Sequence, residues 1–387
     1  MSLPLLNRRP DRGLGNLGSS PADPSRNIDW VLLATQSILT VIGVFVVYSA
    51  SRTRVPGDPF YYTTRQVIFT IFAAVAMFVV MSIDYDSWKD RARALYGLTI
   101  VALVLLLLLG RASGRQLITF ELGIINIQPQ EIGKVTVLIA LAVYLAQERS
   151  EEISYSRFLG GLLLVGVPAL LTLVIPDMGN AIIFVVMVMG VMLVAGAKAR
   201  YIALITGLAL VSLGAAFVTR IVNQYQIERL RVFLNPDTTD PALLDASYQV
   251  RNSIRAVGTG GVFGKGWLQG PLTAGGDIPV MWADFPFAAV AEEFGFIGGA
   301  ILIGLYIIAL MRIWRIAHLS RDLMGTYIAT GVFAMLLFQV FQSIGMTIGL
   351  TPVTGLPLPL LSYGGSGQVT WFVLFGLVQS VHMHRMR

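Results

Sequence analysis

Cysteine is absent from this 387-residue chain, and histidine occurs only three times. Without a thiol there is no disulfide framework, no thiolate nucleophile and no cysteine metal site. Charge is the second scarcity. Lys and Arg number 28 and Asp and Glu 22, together 13% of residues, whereas a soluble domain carries about 25%. So few charges cannot cover a soluble globule of this size. Apolar residues make up 55% and the mean hydropathy is +0.71. Composition therefore excludes collagen-like, disordered and disulfide-rich secreted chains and leaves an integral membrane protein. The formal net charge of +6 reads either as nucleic-acid affinity or as orientation charge on loops, and position decides between them.

A spanning helix needs about 20 mostly apolar residues. Ten segments qualify: 30–50, 67–83, 94–110, 129–147, 158–175, 179–197, 201–219, 285–311, 324–346 and 366–384. Unpaired backbone is intolerable in lipid, so these are expected to be helices, and the fold class is an all-α polytopic membrane protein. Pro129 and Pro176 punctuate segment ends. Trp30, Tyr61, Tyr62, Trp88 and Tyr201 sit where aromatic belts form. Residues 1–28 are polar, lack periodicity and contain no cleavable signal, so a disordered tail is expected, followed by a single ten-helix domain over 29–387. Sixteen of the basic residues fall on the side of the N-terminus and five in short loops on the other side. The positive-inside rule then places both termini in the cytoplasm, and the +6 is no nucleic-acid signature.

Six further bases, Arg220, Arg229, Arg231, Arg251, Arg255 and Lys265, lie in one long outer loop, 220–284. A loop of that length inside a compact domain is usually functional. Tyr248, Arg251 and Arg255 fall on one helix face, and five glycines surround Lys265. Those glycines suit either a turn or close approach to an anion, but they do not form a Walker loop. Carboxylates in or beside lipid are the sharper signal, because ionisable groups there need partners or a function. They are Glu131, paired in sequence with Lys134; Asp177; Asp284; and Glu292 with Glu293. Glu131 and Lys134 at i, i+3 suit an ion pair, and Glu292 and Glu293 suit a polar cavity or a neighbour's cation. His318, His382 and His384 all fall on the cytoplasmic side, so an outer-face enzyme must use a carboxylate as base. No His/Cys zinc site is available, and no metal site is expected. A transporter, an outer-face transferase and a non-catalytic scaffold all remain open at this point.

The segments "IQPQEIGKV" (127–135), "PDMGNA" (176–181), "YQVRNSIRAVGTGGVFGKGW" (248–267), "ADFPFAAVAEEFGFIGG" (283–299) and "GLTPVTGLPLPLLSYGGSG" (349–367) occur in that order. On these motifs the chain resembles the SEDS family (shape, elongation, division and sporulation), the RodA/FtsW group of bacterial cell-wall polymerases. The wording of the last motif looks more like the RodA elongation branch. The resemblance implies a multi-pass protein of the bacterial cytoplasmic membrane. It implies a peptidoglycan glycosyltransferase that polymerises lipid II into β-1,4 glycan on the outer face, for cell elongation and shape. Its implied partners are lipid II, the growing lipid-linked glycan, membrane lipid and a class B penicillin-binding protein. It also implies that Asp284 is the catalytic residue. Many members carry His-Thr just before that Asp, whereas Trp282 and Ala283 stand here. One inverting displacement needs one base and cationic stabilisation of the leaving pyrophosphate. Asp284 then serves as base, with Arg229, Arg231, Arg251, Arg255 and Lys265 as the available clamp. A divalent cation, Mg or Mn, on the pyrophosphate is compatible with this chemistry. A lipid II flippase and a scaffold for the transpeptidase are the alternatives.

Overall fold

The computed structural model describes residues 27–113, 117–122, 125–147, 152–218, 224–236, 238, 240 and 243–386. The tail expected over 1–28 lies outside them except for Asn27 and Ile28, and Arg115 and Arg220 also lie outside. In chain order the elements are α1 (Trp30–Ser51), α2 (Tyr61–Ser82), α3 (Ala92–Ser113), β1 (Phe120–Leu122), β2 (Ile125–Ile127), α4 (Pro129–Leu145), α5 (Tyr155–Val174), α6 (Met178–Val194) and α7 (Ala199–Val218). They continue with α8 (Gln224–Leu234), α9 (Leu244–Gly260), α10 (Pro271–Gly275), α11 (Met281–Asp284), α12 (Pro286–His318), α13 (Leu323–Thr347) and α14 (Gly365–Met383).

Each of the ten expected spans coincides with a helix. Six of these (α1, α2, α3, α5, α12 and α13) are long and apolar enough to cross a membrane. Two expectations need correction. The segment 220–284, expected as a long loop with one helix face at Tyr248, Arg251 and Arg255, carries four helices, α8 to α11, among its described residues, and an antiparallel hairpin, β1 with β2, precedes α4. Residues 27–28 are likewise not tail, since the Asn27 carbonyl bonds His382 Nδ1 at 2.6 Å.

Helix α2 runs along α14, and α12 lies between α1 and α13; α13 in turn packs on α6, and α6 on α5. Helices α4, α13 and α14 form the interior. The outer faces of α2, α3 and α5 expose Phe72, Val75, Leu98, Val101, Leu163 and Leu170, the pattern expected where lipid is the solvent.

The polypeptide between α13 and α14 is non-helical yet largely buried, with Leu356, Leu358, Leu360 and Leu361 all at 2% exposure or less. Its proline-rich sequence cannot continue a helix. Carbonyl groups left bare in such a place are costly, and side chains from the surrounding helices take them up. Gln342 Nε2 donates to Pro352 O at 2.8 Å, Gln339 Nε2 to Pro357 O at 2.7 Å and Tyr306 Oη to Pro359 O at 2.5 Å. Gln66 Nε2 reaches Ser362 O at 3.3 Å from α2. Gly43 in α1 leaves room for this chain, because a methyl group there would stand 2.5 Å from the Leu360 carbonyl oxygen. The strap is thereby held against α1, α2, α12 and α13.

At the opposite end of the bundle, Asp29 caps α1 by accepting from Leu32 N at 2.9 Å. The same carboxylate takes Arg312 at 2.5 Å, while the Asp29 backbone exchanges hydrogen bonds with the Gln379 amide. One buried residue thus ties α1, α12 and α14 together.

Candidate active site

The strap, the hairpin and the outer ends of α2, α4, α6, α8, α11 and α14 enclose a cavity of about 860 Å³. Asp284 and Arg229 line it together. Asp284 ends the single turn α11, whose backbone N–H groups at Asp284 and Phe285 bond Val280 O and Met281 O at 3.0 Å. Just before that turn, Val280 has φ +54°, a left-handed conformation rarely tolerated by a β-branched residue and a mark of over-determined geometry. Burial pushes the Asp284 carboxyl above the ordinary carboxylate range, and the Arg229 guanidinium pulls it part of the way back. Arg229 is itself oriented by the strap, donating from Nη1 to Val353 O at 3.2 Å.

The substitution of Trp282 and Ala283 for His-Thr now has a structural reading. Trp282 is 9% exposed and packs 4.8 Å from the Tyr62 ring, with the Arg54 guanidinium 5.2 Å from its centroid. Arg54 Nη2 also donates to Gly276 O at 2.8 Å and Ile278 O at 2.6 Å, and Tyr363 N donates to Trp282 O at 2.9 Å. Tyr62, expected in an aromatic belt, instead meets both Trp282 and Tyr363, the latter edge-on at 5.2 Å. Turn α11 is therefore fastened by aromatic packing, by a cation and by the strap. A hydrogen-bonding neighbour is not what holds Asp284 here.

Five bases were expected to act together on a pyrophosphate. The cavity brings only Arg229 to Asp284. Arg231 is exposed at the end of α8, Arg251 and Arg255 are exposed with Tyr248 on the outer face of α9, and Lys265 is exposed at the loop tip. Of the glycines around Lys265, Gly260 and Gly264 let this loop pack directly on the backbone of α12. Lys265 N and Gly266 N donate to the carbonyls of Glu292 and Glu293 at 2.9 Å, and α12 kinks at Gly295, φ +65°, where this loop crosses it. A Cβ on Gly264 would lie 2.6 Å from Phe294 Cα.

Glu292 and Glu293 belong to the same support; neither lines the cavity, and the Arg52 guanidinium lies within electrostatic reach of Glu293. Glu292 accepts from Leu272 N at 2.9 Å, Thr273 N at 2.8 Å and Thr273 Oγ1 at 2.5 Å, which caps the start of α10. Glu293 accepts from Leu268 N at 3.1 Å and from the Ser49 hydroxyl.

The intramembrane pair behaves differently. Lys134 Nζ meets Glu131 Oε1 at 2.6 Å with both side chains buried, and Glu131 lines the cavity. Asp177 caps α6 through Asn180 N at 3.1 Å and also lines it. One cavity residue escaped the sequence reading. Arg65 stands 4.1 Å over the Tyr61 ring, lies within electrostatic reach of the Tyr363 hydroxyl and lines the cavity. A guanidinium in the first turn of an apolar helix was the available signal. Among the described residues, no three His, Cys, Asp or Glu side chains converge as a metal site would require.

Fold and site define a polytopic helical membrane protein with a buried carboxylate beside arginine in a cavity at one end of the bundle, and comparison with known proteins narrows the class. Residues 29–387 match the FtsW/RodA/SpoVE family model, described as "Cell cycle protein". The chain is 34% identical to stage V sporulation protein E of Bacillus subtilis over 362 residues, covering 91% of this chain and 96% of that protein. It is also 34% identical to the peptidoglycan glycosyltransferase MrdB of Escherichia coli, covering 93% and 94%. Among solved structures, the rod shape determining protein RodA of Thermus thermophilus superposes with a TM-score of 0.68 at 28% identity, covering 93% of this chain and 98% of that one. A chain from a peptidoglycan synthase complex, described as coordinating polymerization and crosslinking, gives a TM-score of 0.74 at 28% identity, covering 92% and 98%. The chain belongs to the FtsW/RodA/SpoVE family. It is a multi-pass protein of the bacterial cytoplasmic membrane.

Proposed function

We propose that this chain, a peptidoglycan glycosyltransferase by family, polymerises lipid II on the outer face of the membrane with Asp284 as general base. The observation that carries this reading is the placement of Asp284 and Arg229 in one outer cavity about 860 Å³ in volume. The 4-hydroxyl of an acceptor GlcNAc attacks C1 of a donor MurNAc and passes its proton to the Asp284 carboxylate. The C1–O bond to the lipid pyrophosphate breaks, and the departing negative charge is met by Arg229 and Arg65. Desolvation suits the base to its task, since a carboxylate held above its ordinary range accepts a proton more readily. Guanidinium groups match phosphate geometry.

A divalent cation drawn to the pyrophosphate would be held chiefly by phosphate oxygens, with Asp284 as the carboxylate beside Arg229, since among the described residues no three His, Asp or Glu side chains converge. The distribution of basic residues supports ten spans with both termini cytoplasmic and the cavity on the outer side. A class B penicillin-binding protein is the partner that crosslinks the product, and the likeness to the synthase complex supports this pairing. The RodA elongation branch is supported by the strap sequence "TPVTGLPLP".

The test uses purified protein with labelled lipid II in liposomes. Polymer of growing length, with one polyprenyl pyrophosphate released per bond, is expected. Reorientation of lipid II across the bilayer with no polymer would replace this reading with the flippase.

A further inference from the structure

The cavity has two chemically different walls. One carries Asp284, Arg229 and Arg65; the other carries oxygen acceptors. Glu131 and Asn180 line that wall, and Gln130, which shares Asp177 Oδ2 with Asn180, stands outside the lining. They are 1%, 5% and 0% exposed, and each has one oxygen without a donor among the described residues: Glu131 Oε2, Asn180 Oδ1 and Gln130 Oε1. Their remaining polar atoms are committed. Gln130 Nε2 donates to Ile118 O at 3.0 Å and Asp177 Oδ2 at 3.2 Å, and Asn180 Nδ2 donates to Asp177 Oδ2 at 2.8 Å. Glu131 Oε1 takes Lys134 at 2.6 Å. These partners fix both amide orientations, so the free atoms are acceptors rather than flipped donors. Buried acceptors left without donors are costly, and two on neighbouring cavity-lining residues, Glu131 and Asn180, are the mark of a wall that awaits a ligand.

The chemistry of that ligand follows from the wall. A phosphate brings only acceptors and negative charge, which a carboxylate and an amide oxygen repel. An ammonium gains little, since Lys134 already neutralises Glu131. Hydroxyl and amide N–H groups fit. Trp371, 1% exposed on the same cavity lining, adds an unpartnered donor at Nε1, which suits a hydroxyl or acetyl oxygen. We infer that the Glu131–Asn180 wall is a saccharide subsite that reads hydroxyl and acetamido groups of an N-acetylated sugar. The pyrophosphate then lies toward Arg229, so the cavity is polarised and the donor enters in one orientation. This inference rests on the polymerase reading above.

The test compares two probes on the purified full chain, lipid II and sugar-free polyprenyl pyrophosphate. Asn180→Ala is expected to weaken lipid II binding about tenfold, the value of a lost buried hydrogen bond or two, and to leave polyprenyl pyrophosphate within twofold. Arg229→Ala is expected to weaken both. Glu131→Gln, which keeps the oxygen facing Lys134 and replaces the free one with a donor, serves as the second variant and follows Asn180→Ala. Thermal unfolding of each variant checks that it is folded. Equal weakening of both probes by Asn180→Ala and Glu131→Gln, or no weakening of either, overturns the subsite and leaves the polymerase reading standing. A wild-type protein that binds lipid II no better than polyprenyl pyrophosphate overturns the subsite. Failure of the wild type to make polymer while lipid II still binds removes the polymerase reading instead.

Discussion

Arg229 is the cation that acts on Asp284, and this gives the residue scale its sharpest consequence. Burial raises the carboxyl and Arg229 lowers it. Removing the cation leaves the raising influence unopposed, so the acid limb of the pH–rate profile moves to higher pH. Arg229→Met is therefore expected to shift that limb upward and to lower turnover at neutral pH. Arg229→Lys retains the charge and returns the limb toward wild type, although it loses the forked fit to phosphate. Initial rates between pH 5 and 9 check both. Asp284 was legible in the sequence, because a carboxylate at a membrane edge after a basic segment is conspicuous in so uncharged a chain. Arg65 was not. Its role depends on Tyr363, nearly 300 positions away, and local sequence carries no sign of that meeting.

At the scale of elements, two supports divide the outer segment. Turn α11 is fastened by Trp282, with Tyr62, Arg54 and Tyr363 around it. Trp282→Ala loosens the turn that carries the base, and small displacements of a catalytic group cost much in rate. Turnover is expected to fall by about tenfold to 100-fold with KM for lipid II little changed, while Trp282→Phe recovers most of the loss. Steady-state kinetics separate the two parameters, and a rise in KM alone would place Trp282 in substrate binding instead.

The second support is the pair Glu292 and Glu293 beneath the glycine-rich tip. Glu292→Ala strands two backbone donors and a hydroxyl, a loss of about 3 kcal/mol. Lys265→Ala, at an exposed side chain, stays within about 0.5 kcal/mol. Unfolding in detergent measures both. The sequence left both uses of these glycines open, because glycines beside a lysine look alike whether they cradle an anion or let two backbones touch. The close approach at Gly264 and the kink at Gly295 show that two backbones do touch here.

The whole molecule follows from the scarcity of charge. Runs of about 20 apolar residues fix the spans almost by themselves, which is why all ten segments were legible. Of helices α8 to α11 only α9 was, through the face shared by Tyr248, Arg251 and Arg255; the others have the length and polarity of an ordinary long loop and owe their order to packing on α9, α12 and the strap. The absence of cysteine makes orientation simple to measure. Lys265→Cys is expected to react with a membrane-impermeant maleimide in intact cells or spheroplasts. Arg91→Cys, between α2 and α3, is expected to react only after permeabilisation, and the reverse pattern would invert the bundle.

The central claim is that Asp284 removes the proton from the attacking sugar hydroxyl. Its most direct measurement is lipid II polymerisation by purified protein, wild type against Asp284→Ala and Asp284→Asn, with folding and lipid II affinity measured on the same samples. Glycan from the wild type is expected, with none from either variant while unfolding temperature and lipid II binding are retained. Polymer from folded Asp284→Asn at a rate near wild type would contradict the assignment.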